Sequence, residues 1–212
     1  MHQAPPALFA RGTLSADDCG VSVVGSRRAT DRGLAIAIDI ARGLTSRKVT
    51  VVAGLAAGID TAAHRAALAD GGRTVAIIGT GINNAYPGHN RDLQDEIVAR
   101  GLVLSQFWPD APPRRHTFLM RNATMSGYGL ATVVVEAGEH SGARAQARLA
   151  FEHGRPVILT GMVVEQNDWA RALVGRPGIH VASSLRSILD IVGGLIQERA
   201  TVSDELHRIV SA

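Results

Sequence analysis

Six short runs of β-branched and aliphatic residues, separated by longer segments rich in Ala, Leu and Arg, constrain this chain more than any other feature. The runs are Val21–Gly25, Val49–Ala53, Thr74–Ile78, Leu102–Ser105, Thr132–Glu136 and Pro156–Thr160. Each is apolar on both faces and is followed by small or polar residues, as strands buried on both sides of a parallel sheet are. The intervening segments carry helical spacing. In the first, Leu34, Ile38, Ala41 and Leu44 or their neighbours recur every three or four residues. This alternation predicts βαβ units and an α/β fold, a doubly wound, mostly parallel sheet with helices on both faces. Right-handed crossovers then gather the loops after the strands along one edge, where such sheets bind ligands.

A length of 212 residues suits one such domain. Hydrophobic residues make up 46% and aromatics only 4%, so the core must be aliphatic. The expected domain is 1–194 with a short N-terminal lead-in. Gly178–Val181 reads as a further strand and Ser183–Val192 as a helix that Gly193-Gly194 interrupts; 195–212 is then a final helix or a tail. Phe107–Thr117, rich in Pro and Arg, is expected to be an ordered loop on the functional edge. The single cysteine, Cys19, excludes an internal disulfide and any Cys-built metal cluster. His and carboxylates show no ligand spacing such as HExxH, so neither a metal nor another cofactor is expected. The opening MHQAPPALFARG lacks the charged and apolar regions of a signal peptide, and no apolar run nears bilayer length. A cytoplasmic, membrane-free location is the expectation. The net charge of +3 argues little, but Lys48 is the only lysine. The arginine bias either serves phosphate binding or reflects codon usage.

Three strand-end loops carry candidate chemistry. After the first strand come Gly25, Ser26, Arg27 and Arg28, with a helix starting near Thr30 or Asp31. A Gly-Ser turn at a helix N-terminus offers backbone N–H groups to an anion, and the two arginines add charged donors. Neither GxGxxG nor GxxxxGK[ST] is present. After the second strand, Gly54 and Gly58 allow close backbone approach, Asp60 is placed to cap a helix, and His64 lies one turn further on. The Asp60/His64 pair is either catalytic or structural, and no Ser or Cys nucleophile accompanies it. After the third, Gly79 and Gly81 again allow close approach; Tyr86-Pro87 reads as a rigid turn, and Asn90 either caps a helix or meets a ligand.

In order along the chain stand VVGSRRAT, AGLAAGIDTAAHRAAL, GGRTVAIIGTGINNAYPGHNRDLQDEI, GLVLSQFWPDAPPRRHTF and VVVEAGEHSGARAQARLAFEHGRPV. Together they resemble the central domain of the DprA, or Smf, family of DNA-processing proteins, from about Pro6 to Thr160. The resemblance implies an extended Rossmann-like fold, single-stranded DNA as ligand, a homodimer, and hand-over of DNA to a RecA-type recombinase in natural transformation. It implies no enzymatic activity. The turn Gly25-Ser26-Arg27 matches the family's GSR, which helps hold phosphates. The family's NFPRRNR stretch falls on Thr117-Phe118-Leu119-Met120-Arg121-Asn122-Ala123, which puts Phe118, Arg121 and Asn122 in the implied site. Phe118 is either a stacking platform for a base or a buried anchor.

The chain also departs from the pattern. Met120 and Ala123 replace basic residues, and Thr117 replaces Asn. Ser141-Gly142 still opens a helix able to hold an anion, but Arg144 and Gln146 imply a changed pocket floor. The chain has little room for the helical and winged-helix domains that flank this domain in many members of the family, so a shortened, diverged member is the expectation. Two other functions stay open. One is a small-nucleotide sensor, which the residues around Gln146 favour. The other is a nucleotide phosphoribohydrolase like the LOG proteins, although their PGGxGTxxE motif has no match in Glu136–Gly142. Glu136 is the one residue there placed to act as a base, or else to accept hydrogen bonds from the glycine loops.

Overall fold

The computed structural model describes residues 3–210. Eight strands form one sheet: β1 (Phe9–Gly12), β2 (Gly20–Gly25), β3 (Thr50–Ala53), β4 (Thr74–Ile78), β5 (Leu102–Ser105), β6 (Ala131–Glu136), β7 (Val157–Thr160) and β8 (Ile179–Ala182). Their order is β1-β5-β4-β3-β2-β6-β7-β8. β2 to β8 all pair in parallel. The expected doubly wound α/β fold is the fold observed, with every expected strand present to within a residue or two.

The helices are α1 (Asp31–Thr45), α2 (Ile59–Ala69), α3 (Arg91–Arg100), α4 (Arg115–Tyr128), α5 (Gly142–Glu152), α6 (Gly161–Gln166), α7 (Asp168–Arg171) and α8 (Leu185–Val210). Strand pleating divides the core. Val21, Val23, Val51, Val133 and Val135 face α1, α2 and α8, and Ala76, Ile78 and Val103 extend that layer onto α3. Val24, Val52, Ile77, Val134 and Leu159 face the opposite layer, against Met125 of α4, Ala143 and Ala147 of α5, Val163 of α6 and Trp169 of α7. In α1 the buried stripe is Ala37, Ile40, Ala41 and Leu44. Leu34 and Ile38 are only half-buried, so the face lies slightly off the one read from spacing.

Three features differ from expectation. The lead-in contains a strand: β1 pairs antiparallel with β5 at the sheet edge. Its sequence, FARG, is mostly exposed and carries no apolar alternation, so periodicity had nothing to register. The Pro/Arg loop is shorter than expected because α4 begins at Arg115. Thr117 Oγ1 fixes that helix start, lying 2.6 Å from Gly79 O and 2.7 Å from Arg114 O and accepting from Arg114 N at 3.3 Å. Finally, α8 runs unbroken through Gly193-Gly194. Each glycine costs a helix about 1 kcal/mol, and burial of Ile188, Leu189 and Val192 against the α1 side of the sheet outweighs this. Among the described residues, no helix is long and apolar enough to cross a membrane, and no group of His, Cys, Asp and Glu could hold a metal ion.

Candidate nucleic-acid interface

The strand order reverses at β2. From β2 the chain builds outward to β3, β4 and β5 on one side, then returns to add β6, β7 and β8 on the other. Between the carboxyl ends of β2 and β6 the two crossovers diverge and leave a crevice, the usual ligand position in open parallel sheets. A cleft of about 1030 Å³ lies there. Its walls come from the turn after β2 (Gly25, Ser26, Arg27, Arg28), the start of α4 (Arg114, Arg115, Phe118) and the start of α5 (Ser141, Gly142, Arg144). Residues far apart in sequence thus meet where the fold places its ligand.

The cleft is strongly cationic. Arg27, Arg28, Arg114 and Arg115 are exposed and have no carboxylate partner within 4.0 Å among the described residues. Arg144 is tied to Glu139 and Arg148 to Glu152. The Arg27 guanidinium sits 5.2 Å from the centre of the Phe118 ring, and Tyr86 packs on the same ring at 5.2 Å. Phe118 rests over Gly79, where a Cβ would come within 2.4 Å of the ring. Of the two readings of Phe118, these contacts favour the anchor: the ring seats Arg27 and Tyr86.

The turn itself is braced from below. Ser26 Oγ accepts from Arg28 N at 3.1 Å, and Ser26 O accepts from Ile59 N at 3.2 Å. That close approach requires Gly58, which has a φ of +79° and whose added Cβ would lie 2.2 Å from Ser26 O.

The N-terminus of α1 is not available to a ligand, contrary to the expectation from the Gly-Ser turn. The Glu136 carboxylate occupies it, accepting from Thr30 Oγ1 at 2.6 Å and from Thr30 N at 3.1 and 3.2 Å. Thr30 Oγ1 in turn caps Gly33 N at 3.1 Å. Of the alternatives for Glu136, acceptance of hydrogen bonds is the one realised, though from Thr30 rather than from a glycine loop. The donors left open to the cleft are the arginines and the start of α5. There Ser141 Oγ accepts from Arg144 N at 3.2 Å, and Gly142 lies exposed at the first turn.

Several other expected contacts are buried; of these, Asp60, Arg121 and Asn122 form the cleft floor. Arg121 is 5% exposed. Its guanidinium donates to Ile77 O and, through Nε, to Asn122 Oδ1 at 3.2 Å. It occupies the space left by Gly54, where a Cβ would fall 1.7 Å from Nη1. Burial pushes its pKa down to about 10, against the pull of Asp60. Asp60 does not cap α2, whose N-cap is Gly58; it is buried and accepts from Gly54 N at 2.8 Å. Burial raises its carboxyl above the usual range, opposed chiefly by the charge of Arg121. Asn122 donates to Gly142 O at 3.5 Å and so joins α4 to the start of α5. Asn90 is fully buried at the N-cap position of α3, where its side chain makes no capping bond, and it does not line the cleft. Its Nδ2 donates to Leu55 O at 3.0 Å and Thr61 Oγ1 at 2.8 Å, holding Leu55 at a φ of +58°. Gly81 packs against the backbone of Trp108 and Pro109.

Asp60 and His64 form no pair. His64 is fully buried, with Nδ1 2.7 Å from Thr74 Oγ1, and burial lowers its pKa to about 3. Arg114 and Arg115, within the Pro/Arg loop expected on the functional edge, stand in the cleft wall. Sequence reasoning missed Tyr86 as a wall residue, because a Tyr-Pro pair reads as a turn.

The family model for DNA recombination-mediator protein A matches residues 1–186. The chain is 41% identical over 159 residues to the DNA processing protein DprA of Streptococcus pneumoniae, covering 74% of this chain and 56% of that protein. It is 40% identical over 159 residues to Protein Smf of a Synechocystis strain, covering 73% and 40%. The X-ray structure of the Streptococcus pneumoniae DprA superimposes with a TM-score of 0.77 at 35% identity, over 86% of this chain and 65% of that one. A Helicobacter pylori DNA processing protein A, described for its single-stranded DNA binding mode, shares the fold with a TM-score of 0.79 at 23% identity, over 91% and 89%. The chain spans about half the length of the curated relatives it matches. With a family match over residues 1–186 and relatives 40–41% identical over about three quarters of the chain, the chain belongs to the DNA recombination-mediator protein A family.

Proposed function

We propose that this chain binds the phosphate backbone of single-stranded DNA in the cleft between β2 and β6 and acts in DNA processing and recombination. The observation that carries this reading is the set of four exposed, carboxylate-free arginines, Arg27, Arg28, Arg114 and Arg115, converging on one open groove. Arginines that meet phosphates give affinity without reading sequence. Pairing with a second copy and hand-over to a RecA-type recombinase follow from the family and are proposed with it. The site is a binding site in this reading and not a catalytic one, since the Glu136 carboxylate is committed to Thr30.

One observation favours a mononucleotide instead. Gln146 borders the cleft at 1% exposure with both side-chain polar atoms unpartnered, a polar group that a bound nucleotide would satisfy. A comparison of Arg27→Ala and wild type separates the readings. If DNA is the ligand, the variant weakens every oligonucleotide sequence alike and flattens the salt dependence. If a mononucleotide is the ligand, affinity does not grow with oligonucleotide length.

A further inference from the structure

Trp108 is 79% exposed, the most exposed large hydrophobic side chain among the described residues. A tryptophan left in water is unusual in a chain with only 4% aromatics. Its loop is not loose. Trp108 O accepts from Ala111 N at 2.9 Å, and Pro109 O accepts from Asn83 N at 2.9 Å. Ala111 O accepts from Gly81 N at 2.9 Å and from Asn84 Nδ2 at 3.0 Å. Asn83 Nδ2 donates to Asp110 Oδ1 at 2.9 Å. Gly81 makes this junction possible, since a Cβ there would come within 2.2 Å of both Trp108 O and Pro109 O. The indole packs on the Phe9 ring of β1 at 5.9 Å and 49°. The backbone is clamped and the ring is held outward.

The place matters as much as the exposure. The loop follows β5, so it lies on the same carboxyl edge of the sheet as the cleft. β5 stands three strands from β2, roughly 14 Å at ~4.8 Å per strand. That is about four nucleotides of a stacked strand at ~3.4 Å each. The loop's own continuation, Pro112-Pro113-Arg114-Arg115, enters the cleft wall and lines the interval with positive charge. Tyr86, 40% exposed, stands on the loop after β4, whose strand lies between β5 and β2.

We propose that Trp108 is a stacking platform for a base of the strand whose phosphates lie in the cleft, a second contact about four nucleotides away. The inference rests on the single-stranded DNA reading of the cleft. An outward, immobilised indole loses little freedom on stacking, which makes it an effective platform. Stacking accepts any base, so the contact lengthens the footprint without adding sequence preference.

The test measures fluorescence anisotropy on a ladder of labelled oligo-dT lengths with wild type, Trp108→Ala, Trp108→Phe and Arg27→Ala. Tryptophan emission is recorded alongside. Trp108→Ala is expected to bind the shortest oligonucleotides like wild type and longer ones about 5- to 150-fold more weakly, with an unchanged salt slope. Trp108→Phe should restore most of the affinity. Long oligo-dT should quench wild-type emission, and the quench should vanish in Trp108→Phe, since Trp169 is buried. Equal binding by Trp108→Ala at every length, while Arg27→Ala binds weakly, overturns the inference, leaves the cleft reading intact and returns the ring to a protein partner. Unchanged binding by Arg27→Ala as well defeats the cleft reading itself.

Discussion

Replacing Arg121 by Met tests whether the buried guanidinium under the cleft supports the fold. Met keeps the length and apolar stem of the side chain but removes the guanidinium that meets Ile77 O and Asn122 Oδ1. Asp60, 5% exposed, then holds an uncompensated charge. Two buried acceptors left without a donor, at about 1–3 kcal/mol each, and the loss of the cation nearest in charge to Asp60 together cost about 3–5 kcal/mol. For a domain of this size each kcal/mol moves the melting midpoint by about 2–4 °C, so the fall should be roughly 6–20 °C. Adding Asp60→Asn should recover much of it, because the second substitution removes the orphaned charge. The pH dependence has a definite sign. Without Arg121 the folded-state pKa of Asp60 rises further above its unfolded value, near 4. The penalty is then full above the raised pKa and shrinks as pH falls toward 4. Urea denaturation at pH 7.5 and 5, with single and double variants, reads all of this. A single variant within about 1 kcal/mol of wild type, or a double variant worse than the single, would show that Arg121 does not hold the buried charge of Asp60 in place.

Other outcomes follow from the same geometry. The pKa of His64 falls to about 3 on folding, so its contribution is intact above the unfolded value near 6.5. Below that, stability should decline by up to about 1.4 kcal/mol per pH unit until about pH 3, and His64→Gln should flatten that limb in acid denaturation curves. Glu136→Ala should cost about 1–2 kcal/mol by calorimetry, since it uncaps Thr30 and the start of α1. Gly79→Ala should displace the Phe118 ring, unseat Arg27 and weaken oligo-dT binding severalfold, with circular dichroism unchanged.

The parallel sheet was legible because buried parallel strands announce themselves as β-branched runs, as Thr132–Glu136 does. β1 was not, because an exposed antiparallel edge strand of four residues carries no apolar signature. The glycine pair in α8 misled for a related reason: propensity is local, whereas the packing of Leu189 and Val192 that overrides it is tertiary. In the site, residue types pointed to the right edge of the sheet, and Gly25, Ser26, Arg27 and Arg28 stand where a ligand would. Sequence could not separate contact from support. Arg121, Asn122, Asn90 and Gly54 look like ligand residues by type; their hydrogen bonds go to protein atoms, while Arg121 and Asn122 also border the cleft floor. Only burial distinguishes them from Arg114 and Arg115.

On the proposed reading, exposed arginines of the cleft neutralise phosphates of single-stranded DNA. Anisotropy of labelled poly-dT at 50 and 200 mM salt, with a mononucleotide competitor present or absent, tests it most directly. Four neutralised phosphates predict a log–log slope of about −2.8 for a single strand. Binding should then weaken about 50-fold between the two salt concentrations. Arg27→Ala should lower the slope by about 0.7, and the mononucleotide should compete poorly. Salt-insensitive binding that Arg27→Ala leaves unchanged, or full displacement by the mononucleotide, would contradict the account.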